Sequence, residues 1–343
     1  MQHLSISGGP RQIGEALGVF GRDAWQRIIC VSPLGKAVFA LKDSPEAMAL
    51  RQATQQAFPL IWQEIEGLAI GLDAPVDAVF AWQCRGDLVR STSDGCTTVA
   101  GSGAGDSGII AHNEDGMPAL RGSCAIVSIQ QEIGPAFTSF AYPGFLCGHT
   151  FAVNAHGVVN AVNNIRAIER PAGLPRQVLA RASLNARTLD EAADILTTYP
   201  RSGAFHHTLG QAGDRRLWSV EATGTGCNIT PVGQGFGHSN HLVSPALSTV
   251  AQVVTASSAD RQQRVNAWLR TRHDALTAGA ALTILSDQAE NGLPVYRQSP
   301  DDPDGENTLA TAVFTLSSRQ VLWDIYSDDR YRPILSGVMT LQG

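Results

Sequence analysis

The chain of 343 residues carries 25 Lys and Arg against 31 Asp and Glu, a net charge of −6, with 43% apolar and only 16% charged residues. Charge this sparse, below the roughly 25% of an average domain and never gathered into runs, excludes a solvating acidic tail. The scattered arginines make no concentrated basic surface for nucleic acid. The opening Met1 to Pro10 has no basic stretch followed by an apolar one, and no segment approaches the ~20 apolar residues that span a bilayer, so no membrane partner is expected and the cytoplasm is the default location.

Taken in chain order, the first 90 residues read mainly as helix. Apolar residues recur at three- and four-residue spacing from Ile13 to Ile29 and from Ala47 to Leu72. The second stretch has a start signal in Ser44-Pro45-Glu46, with Ser44 as cap and Pro45 in the first turn. Pro75 to Cys84 predicts one more short helix. From Cys96 the texture changes to short β-branched runs punctuated by Gly and Asn: 108–112, 125–129, 150–154 and 157–162 read as strands. Two helices follow, over 175–186 and 189–199, the second announced by the capping pattern Thr188-Leu-Asp-Glu191. Strands over 205–209, 217–221 and 227–231 then lead to a long helix from Ala259 to His273 and a closing hairpin, 312–316 with 321–326. Strands joined by tight turns, with two groups of helices to cover them, predict an α+β layered sandwich of antiparallel sheets forming a single domain.

Several patterns are weaker than they look. Gly103-x-Gly105-x-x-Gly108 fits a dinucleotide fingerprint but precedes a strand, not a helix, and so reads as a hairpin turn. Asp301-Asp-Pro-Asp304-Gly-Glu306 has Pro300 where a calcium loop needs its first ligand, which leaves an acidic turn. His206-His207 and His238-x-x-His241 lie in strand context, where residues three apart point to opposite faces, so satisfied histidines are expected rather than a metal site. The six cysteines never fall as Cys-x-x-Cys, and reduced thiols are expected. No cofactor is called for.

Ser93-Asp94-Gly95-Cys96-Thr97-Thr98 sits where helix gives way to sheet, and Ala111-His112-Asn113-Glu114-Asp115 arrives one hairpin later. Antiparallel pairing of the two strands brings Asp115 near Cys96. With these residues in view the chain resembles the acyl-coenzyme A:6-aminopenicillanic acid acyltransferase family of N-terminal nucleophile (Ntn) hydrolases, and more distantly the bile salt hydrolases and penicillin V acylases. The resemblance runs in order through Ile6-Ser-Gly-Gly-Pro10 with Ile13-Gly14, Asp94-Gly95-Cys96-Thr97-Thr98, Asn113-x-Asp115, Asn154-x-x-Gly157 with Asn163-Asn164, the strand ending at Glu221, Ser239-Asn240-His241, and Ser257-Ser-Ala-Asp-Arg261.

That resemblance implies a four-layer αββα sandwich with two stacked antiparallel sheets, made as a precursor cut by its own thiol between Gly95 and Cys96 into associated fragments 1–95 and 96–343. Cys96 would be the nucleophile for cleavage and acyl transfer, its freed α-amine serving as base. Asp115 would orient that amine. Asn240 would donate its side-chain amide to the oxyanion, together with a backbone N–H near Asn164, and Arg261 would support the site. His112 stands where bile salt hydrolases carry Arg, which argues against bile acids and leaves His112 and Asn113 as candidate substrate contacts. The segment from Gly14 to Arg22 would shape the entrance. The expected partner is a small-molecule amide or N-acyl amine, with an acyl-CoA donor within the family's range, and a net charge of −6 permits a soluble homo-oligomer. Two other classes stay in play: a catalytically silent binding protein on the same fold, and an unprocessed Cys-His thiol protease.

Overall fold

The computed structural model describes residues 1–89, 95–272, 274–288 and 292–341. Ser93 and Asp94 of the expected cleavage motif, and His273 at the expected end of the long helix, lie outside the described residues. In chain order the elements are β1 (Gln2–Gly8), α1 (Pro10–Ala24, continued by a π-helical turn Trp25–Ile29), α2 (Pro33–Phe39), α3 (Pro45–Ala57), α4 (Pro59–Leu72), α5 (Val76–Gln83) and α6 (Arg85–Leu88). Then come β2 (Cys96–Ser102), β3 (Gly108–Gly116), β4 (Ala125–Gln131), β5 (Phe137–Ala141), β6 (Phe151–Asn154) and β7 (Val158–Ile165). The chain continues through α7 (Arg176–Ser183), α8 (Leu189–Thr198), β8 (Ala204–Gln211), β9 (Leu217–Ala222), β10 (Cys227–Pro231), β11 (Phe236–His238), α9 (Ala256–Arg270) and α10 (Ala278–Leu285). It closes with β12 (Asn307–Leu316), β13 (Gln320–Tyr326) and β14 (Leu335–Thr340).

Local chemistry sets several of these limits. The Ser44 Oγ accepts from Ala47 N at 3.1 Å, the expected cap of α3. The helix expected over 47–72 is two helices, because Pro59 has no N–H to continue the ladder and opens α4 instead. The segment from Gly14 to Arg22, expected to help shape an entrance, lies within α1. It turns Gly14 and Gly18 onto α4 so closely that a Cβ on either would overlap the backbone of Glu64 or Leu68.

Eight strands form one sheet in the order β1-β4-β5-β6-β7-β8-β9-β10, and six form another, β11-β2-β3-β12-β13-β14. Every pairing is antiparallel except β1 with β4. More than a hundred residues of helix and hairpin separate those two strands, so no tight turn fixes their direction. The sheets stack face to face: Ala100, Ile110 and Phe314 of the six-stranded sheet share one apolar cluster with Phe140 and Phe151 of the other. Outside the six-stranded sheet, α9 and α10 press Val265, Ala281, Ile284 and Leu285 onto Val99, Ile109, Ala111 and Val313. Outside the larger sheet, α7 and α8 cover Val158, Leu209 and Val220 with Leu179, Leu189 and Leu196. The order is helix, sheet, sheet, helix, the α+β sandwich expected. No helix among the described residues is long and apolar enough to cross a membrane.

The register of β2 against β3 positions the chemistry. Cys96 lies opposite Glu114, Thr97 opposite Asn113 and Thr98 opposite His112. Alternation then sends Cys96, Thr98, His112 and Glu114 into the space between the sheets, and Thr97 and Asn113 toward α9 and α10.

Candidate functional site

Cys96 opens β2 and is only 3% exposed. Its peptide bond to Gly95 is held on both sides. The Gly95 carbonyl accepts the backbone N–H of Asp115 at 3.0 Å, and the Cys96 N–H is donated to Asn240 Oδ1 at 2.9 Å. The Cys96 carbonyl receives the guanidinium of Arg261, which also donates to Thr97 Oγ1 at 2.9 Å and Asn240 Oδ1 at 2.8 Å. Arg261 reaches the site from α9, fully buried, with Ser257 Oγ one turn earlier holding its Nε. Burial pulls its pKa down and the nearby Asp115 carboxylate works against that pull.

Asn240 is fixed in turn. Its backbone N–H donates to Ser258 Oγ and its side-chain amide donates to the Asn164 carbonyl at 3.0 Å. Because two donors, Cys96 N–H and Arg261, converge on one end of the amide, that end is the oxygen. This differs from the expected arrangement, in which the Asn240 amide and an N–H near Asn164 face an oxyanion: here Asn164 accepts through its carbonyl, its side chain accepts from Arg176, and Asn240 turns its oxygen to Cys96. The donor aimed at the Gly95 carbonyl is the Asp115 N–H.

Asp115, expected to orient the freed α-amine of Cys96, has other partners in the uncut chain. In the continuous chain the Cys96 nitrogen is an amide with a single proton, which goes to Asn240, while the Asp115 carboxylate accepts from Thr308 Oγ1 at 2.7 Å and lies 3.5 Å from Arg297 Nη1. Its Oδ2 accepts no hydrogen bond among the described residues. Arg297 is the residue that sequence reasoning missed. Its guanidinium is paired with Asp302, Glu306 and Asp115, so the stretch read as an ordinary acidic turn is the collar of a buried arginine. Burial opposes the charge on Arg297, but Asp115, Glu306 and Asp302 outweigh it and raise its pKa. Glu306, desolvated beside it, is pushed up to about 7 despite Arg297 and Arg166.

Gly95 is packed into this cluster. A Cβ there would overlap the Glu306 carboxylate and press on the Arg297 guanidinium. Gly95→Ala is therefore expected to spread the collar, lowering the thermal midpoint by several degrees and moving the 95–96 bond off the Asp115 N–H. Circular dichroism melting together with intact mass would check it, and an alanine variant indistinguishable from wild type in both would refute the packing argument.

The inter-sheet side of Cys96 holds a second cluster. Cys96 Sγ lies 3.7 Å from Glu114 Oε2, and the same oxygen is 3.1 Å from His112 Nε2. Tyr142 donates its hydroxyl to Glu114 Oε1 at 2.9 Å. His112 is fully buried, and desolvation lowers its pKa to about 3, so its imidazole is neutral. It faces Cys96 and Glu114. Asn113 does not: one residue along the strand, it points to the opposite face, where its amide donates to the carbonyls of Leu285 and Val295 and clamps the end of α10. Sequence alone could not give Glu114 this place, because the register that sets it opposite Cys96 was not readable.

Cys96, His112 and Glu114 offer thiol, imidazole and carboxylate atoms within 4.8 Å of one another, the donor set a zinc-like ion takes. Of the histidines expected to be satisfied or exposed, His206, His207, His238 and His241 all have hydrogen-bond partners. His206 and His238 stack at 3.5 Å between centroids, His206 pairing with Asn163 and Ser219, and His238 with Glu221.

On the far side of Asn164, Arg176 reaches Asp87, whose pKa burial raises to about 6 in spite of that arginine. Asp87 lines a cleft of about 600 Å3 with Leu41, Leu50, Leu88, Arg170 and Ser202.

Comparison with known proteins finds similarity at the level of family, curated relative and solved structure. Residues 102–329 match the profile of the family described as acyl-coenzyme A:6-aminopenicillanic acid acyl-transferase, a span that holds Asp115, Asn164, Asn240, Arg261 and Arg297 and begins just after Cys96. A β-alanyl-dopamine/carcinine hydrolase of Drosophila melanogaster is 23% identical over 95% of this chain and 92% of its own length. Among solved structures, a mutant of the conjugated bile acid hydrolase from Clostridium perfringens superposes with a TM-score of 0.44 at 10% identity, over 71% of this chain and 92% of that one.

Proposed function

The chain belongs to the acyl-coenzyme A:6-aminopenicillanic acid acyl-transferase family, and from that premise we propose that it is an Ntn-class amidohydrolase or acyltransferase, made as a precursor that cuts itself between Gly95 and Cys96. The observation that carries this reading is the grip on that one peptide bond: Asp115 N–H on the Gly95 carbonyl, Asn240 on the Cys96 nitrogen, Arg261 on the Cys96 carbonyl, with the thiol of the same residue alongside. A hydrogen-bond donor on a scissile carbonyl lowers the barrier to attack because it meets the charge that develops there.

Cleavage turns the Cys96 amide into a free α-amine. An amine with an unperturbed pKa near ~7.7 to 8 is a competent base for its own thiol around neutral pH. The Asp115 carboxylate, whose Oδ2 accepts no hydrogen bond among the described residues and which packs against Gly95, is the acceptor that would hold the amine once it carries extra protons. Cys96 then attacks an amide or thioester carbonyl, forms an acyl-thioester and passes the acyl group to water or to an amine. Fragments 1–95 and 96–343 stay together, since the eight-stranded sheet pairs β1 of the first with β4 of the second.

For substrate we infer a small amide of a short acyl group. The Drosophila hydrolase suggests a β-alanyl amine, and the family's name an acyl-CoA donor. The test is intact-mass spectrometry of purified protein, followed by a panel of carcinine, β-alanyl-dopamine and penicillin-type amides with and without acyl-CoA. Fragments meeting at 95–96 and turnover of at least one amide are expected. An uncut chain that turns over none would leave the silent binding protein standing.

One observation bears on the protease alternative. His112 Nε2 lies within 4.8 Å of Cys96 Sγ, which a Cys-His pair requires. Burial keeps that imidazole neutral, however, and its Nε2 is engaged with Glu114 Oε2 at 3.1 Å. Full activity in an uncut chain would favour the protease.

A further inference from the structure

Self-cleavage poses a chemical problem that the mature enzyme does not have. Before the bond breaks, the Cys96 nitrogen is an amide and has no lone pair to take the thiol proton, so the base must come from elsewhere. We propose that Glu114 is the catalytic base of self-cleavage, with His112 positioned to hold the proton that Glu114 takes; this rests on the self-processing reading above.

The argument is geometric. Glu114 Oε2 is 3.7 Å from Cys96 Sγ, because the two residues are directly opposite on β2 and β3. Its other oxygen is tied by the Tyr142 hydroxyl at 2.9 Å, which fixes the carboxylate plane. The His112 tautomer follows from its neighbours. Thr98 Oγ1 gives its only proton to Asn163 Oδ1 at 2.7 Å, so at 2.8 Å from His112 Nδ1 it accepts, and Nδ1 carries the imidazole's proton. His112 Nε2 therefore turns a lone pair toward Glu114 Oε2 at 3.1 Å. Two acceptors face each other there, and a proton arriving on Oε2 is at once bonded by Nε2. The site is built to receive one proton, and the adjacent thiol is its source.

The step balances as follows. The thiol proton moves to Glu114 Oε2, and the thiolate attacks the Gly95 carbonyl carbon while the Asp115 N–H bonds the oxyanion. The C–N bond breaks, the Glu114 proton leaves with the Cys96 nitrogen as that becomes an amine, and a Gly95–Cys96 thioester remains. Water hydrolyses it, releasing the Gly95 carboxylate and restoring the thiol.

The experiment follows intact mass in a cell-free translation pulse of the full chain, comparing wild type, Cys96→Ala, Glu114→Gln and His112→Gln, each with and without hydroxylamine, which cleaves thioesters. Glu114→Gln keeps the shape and the acceptor for Tyr142 but not the base. It is expected to slow cleavage at least 100-fold, with no rescue by hydroxylamine because the thioester never forms; His112→Gln is expected to slow it about tenfold, likewise unrescued. Cleavage of folded Glu114→Gln at the wild-type rate, or full rescue by hydroxylamine, would overturn the assignment. Should circular dichroism show that Glu114→Gln has lost its fold, His112→Gln decides, and wild-type cleavage there overturns it. A wild type that stays uncut, or a Cys96→Ala that is cut, instead defeats the self-processing reading itself.

Discussion

Cys96→Ala is expected to leave the chain in one piece of 343 residues and to lower amide turnover by a factor of about 10^6, the order seen when an enzyme loses its covalent nucleophile. The size of that loss separates chemistry from structure. As a buried side chain Cys96 is small, and exchanging its sulfur for hydrogen costs on the order of 1 kcal/mol in packing. The clamps that hold the residue run through its backbone N–H and carbonyl, to Asn240 and Arg261, and an alanine keeps both. The variant should therefore melt within a few degrees of wild type while losing everything else. If it retained turnover, no acyl-cysteine step would be needed; if it were cut between residues 95 and 96, another nucleophile would be responsible. Either result, read by intact mass and a substrate assay on the same preparation, would remove the mechanism proposed for the family site in this chain.

Which parts of this site were legible in the sequence follows from the kind of information each residue needs. Cys96 alone is only a cysteine at the start of a strand; the hairpin that brings Asp115 near it and the order of family motifs gave it meaning, and the motifs also gave Asn240 and Arg261. Element types were readable from periodicity, as in α8 with its Thr188 cap and the closing hairpin of β12 and β13. Strand register was not. Whether Asp115 or Glu114 lies opposite Cys96 changes the face on which each carboxylate emerges, and no pattern in 111–115 decides it, since both faces of β3 are buried. Burial on both faces also hid that Asn113 clamps α10. Arg297 was invisible for a different reason: it lies more than fifty residues beyond Asn240 in an irregular segment, and only the fold brings it to Asp115. Short elements such as β1, β11 and α10 gave too few residues for a period to show.

The second large effect is on stability, and it comes from histidines rather than from the nucleophile. His112 and His207 have pKa values lowered to about 3 by burial, and His206 falls well below its ordinary value through burial and the positive neighbours it would have in His238 and His207. In the unfolded chain all three take protons below pH ~6.5, whereas in the fold His112 and His207 stay neutral until about pH 3 and His206 stays neutral well below its ordinary value. A group whose folded pKa is depressed contributes stability above its unfolded pKa, and that contribution is lost as pH falls toward the folded value. Two acids oppose the trend. Glu306 at about 7 and Asp87 at about 6 hold protons in the fold that the unfolded chain releases, so their contribution grows as pH falls through the same range. The net is an excess of about one and a half protons on the unfolded state between pH 5 and 4, or about 2 kcal/mol lost per pH unit. Against a total stability of about 5–15 kcal/mol that loss is a large fraction, so the protein should be markedly less stable at pH 4 than at pH 7. Urea midpoints measured from pH 7 to pH 4 would show this as a steep fall at constant m-value, and His207→Gln, though less stable at pH 7, should lower the slope by about one proton. A midpoint that stays level down to pH 4 would mean that these imidazoles reach water in the folded protein, and that the packed space between the two sheets, where Cys96, Glu114 and His112 meet, is wetter than its geometry implies.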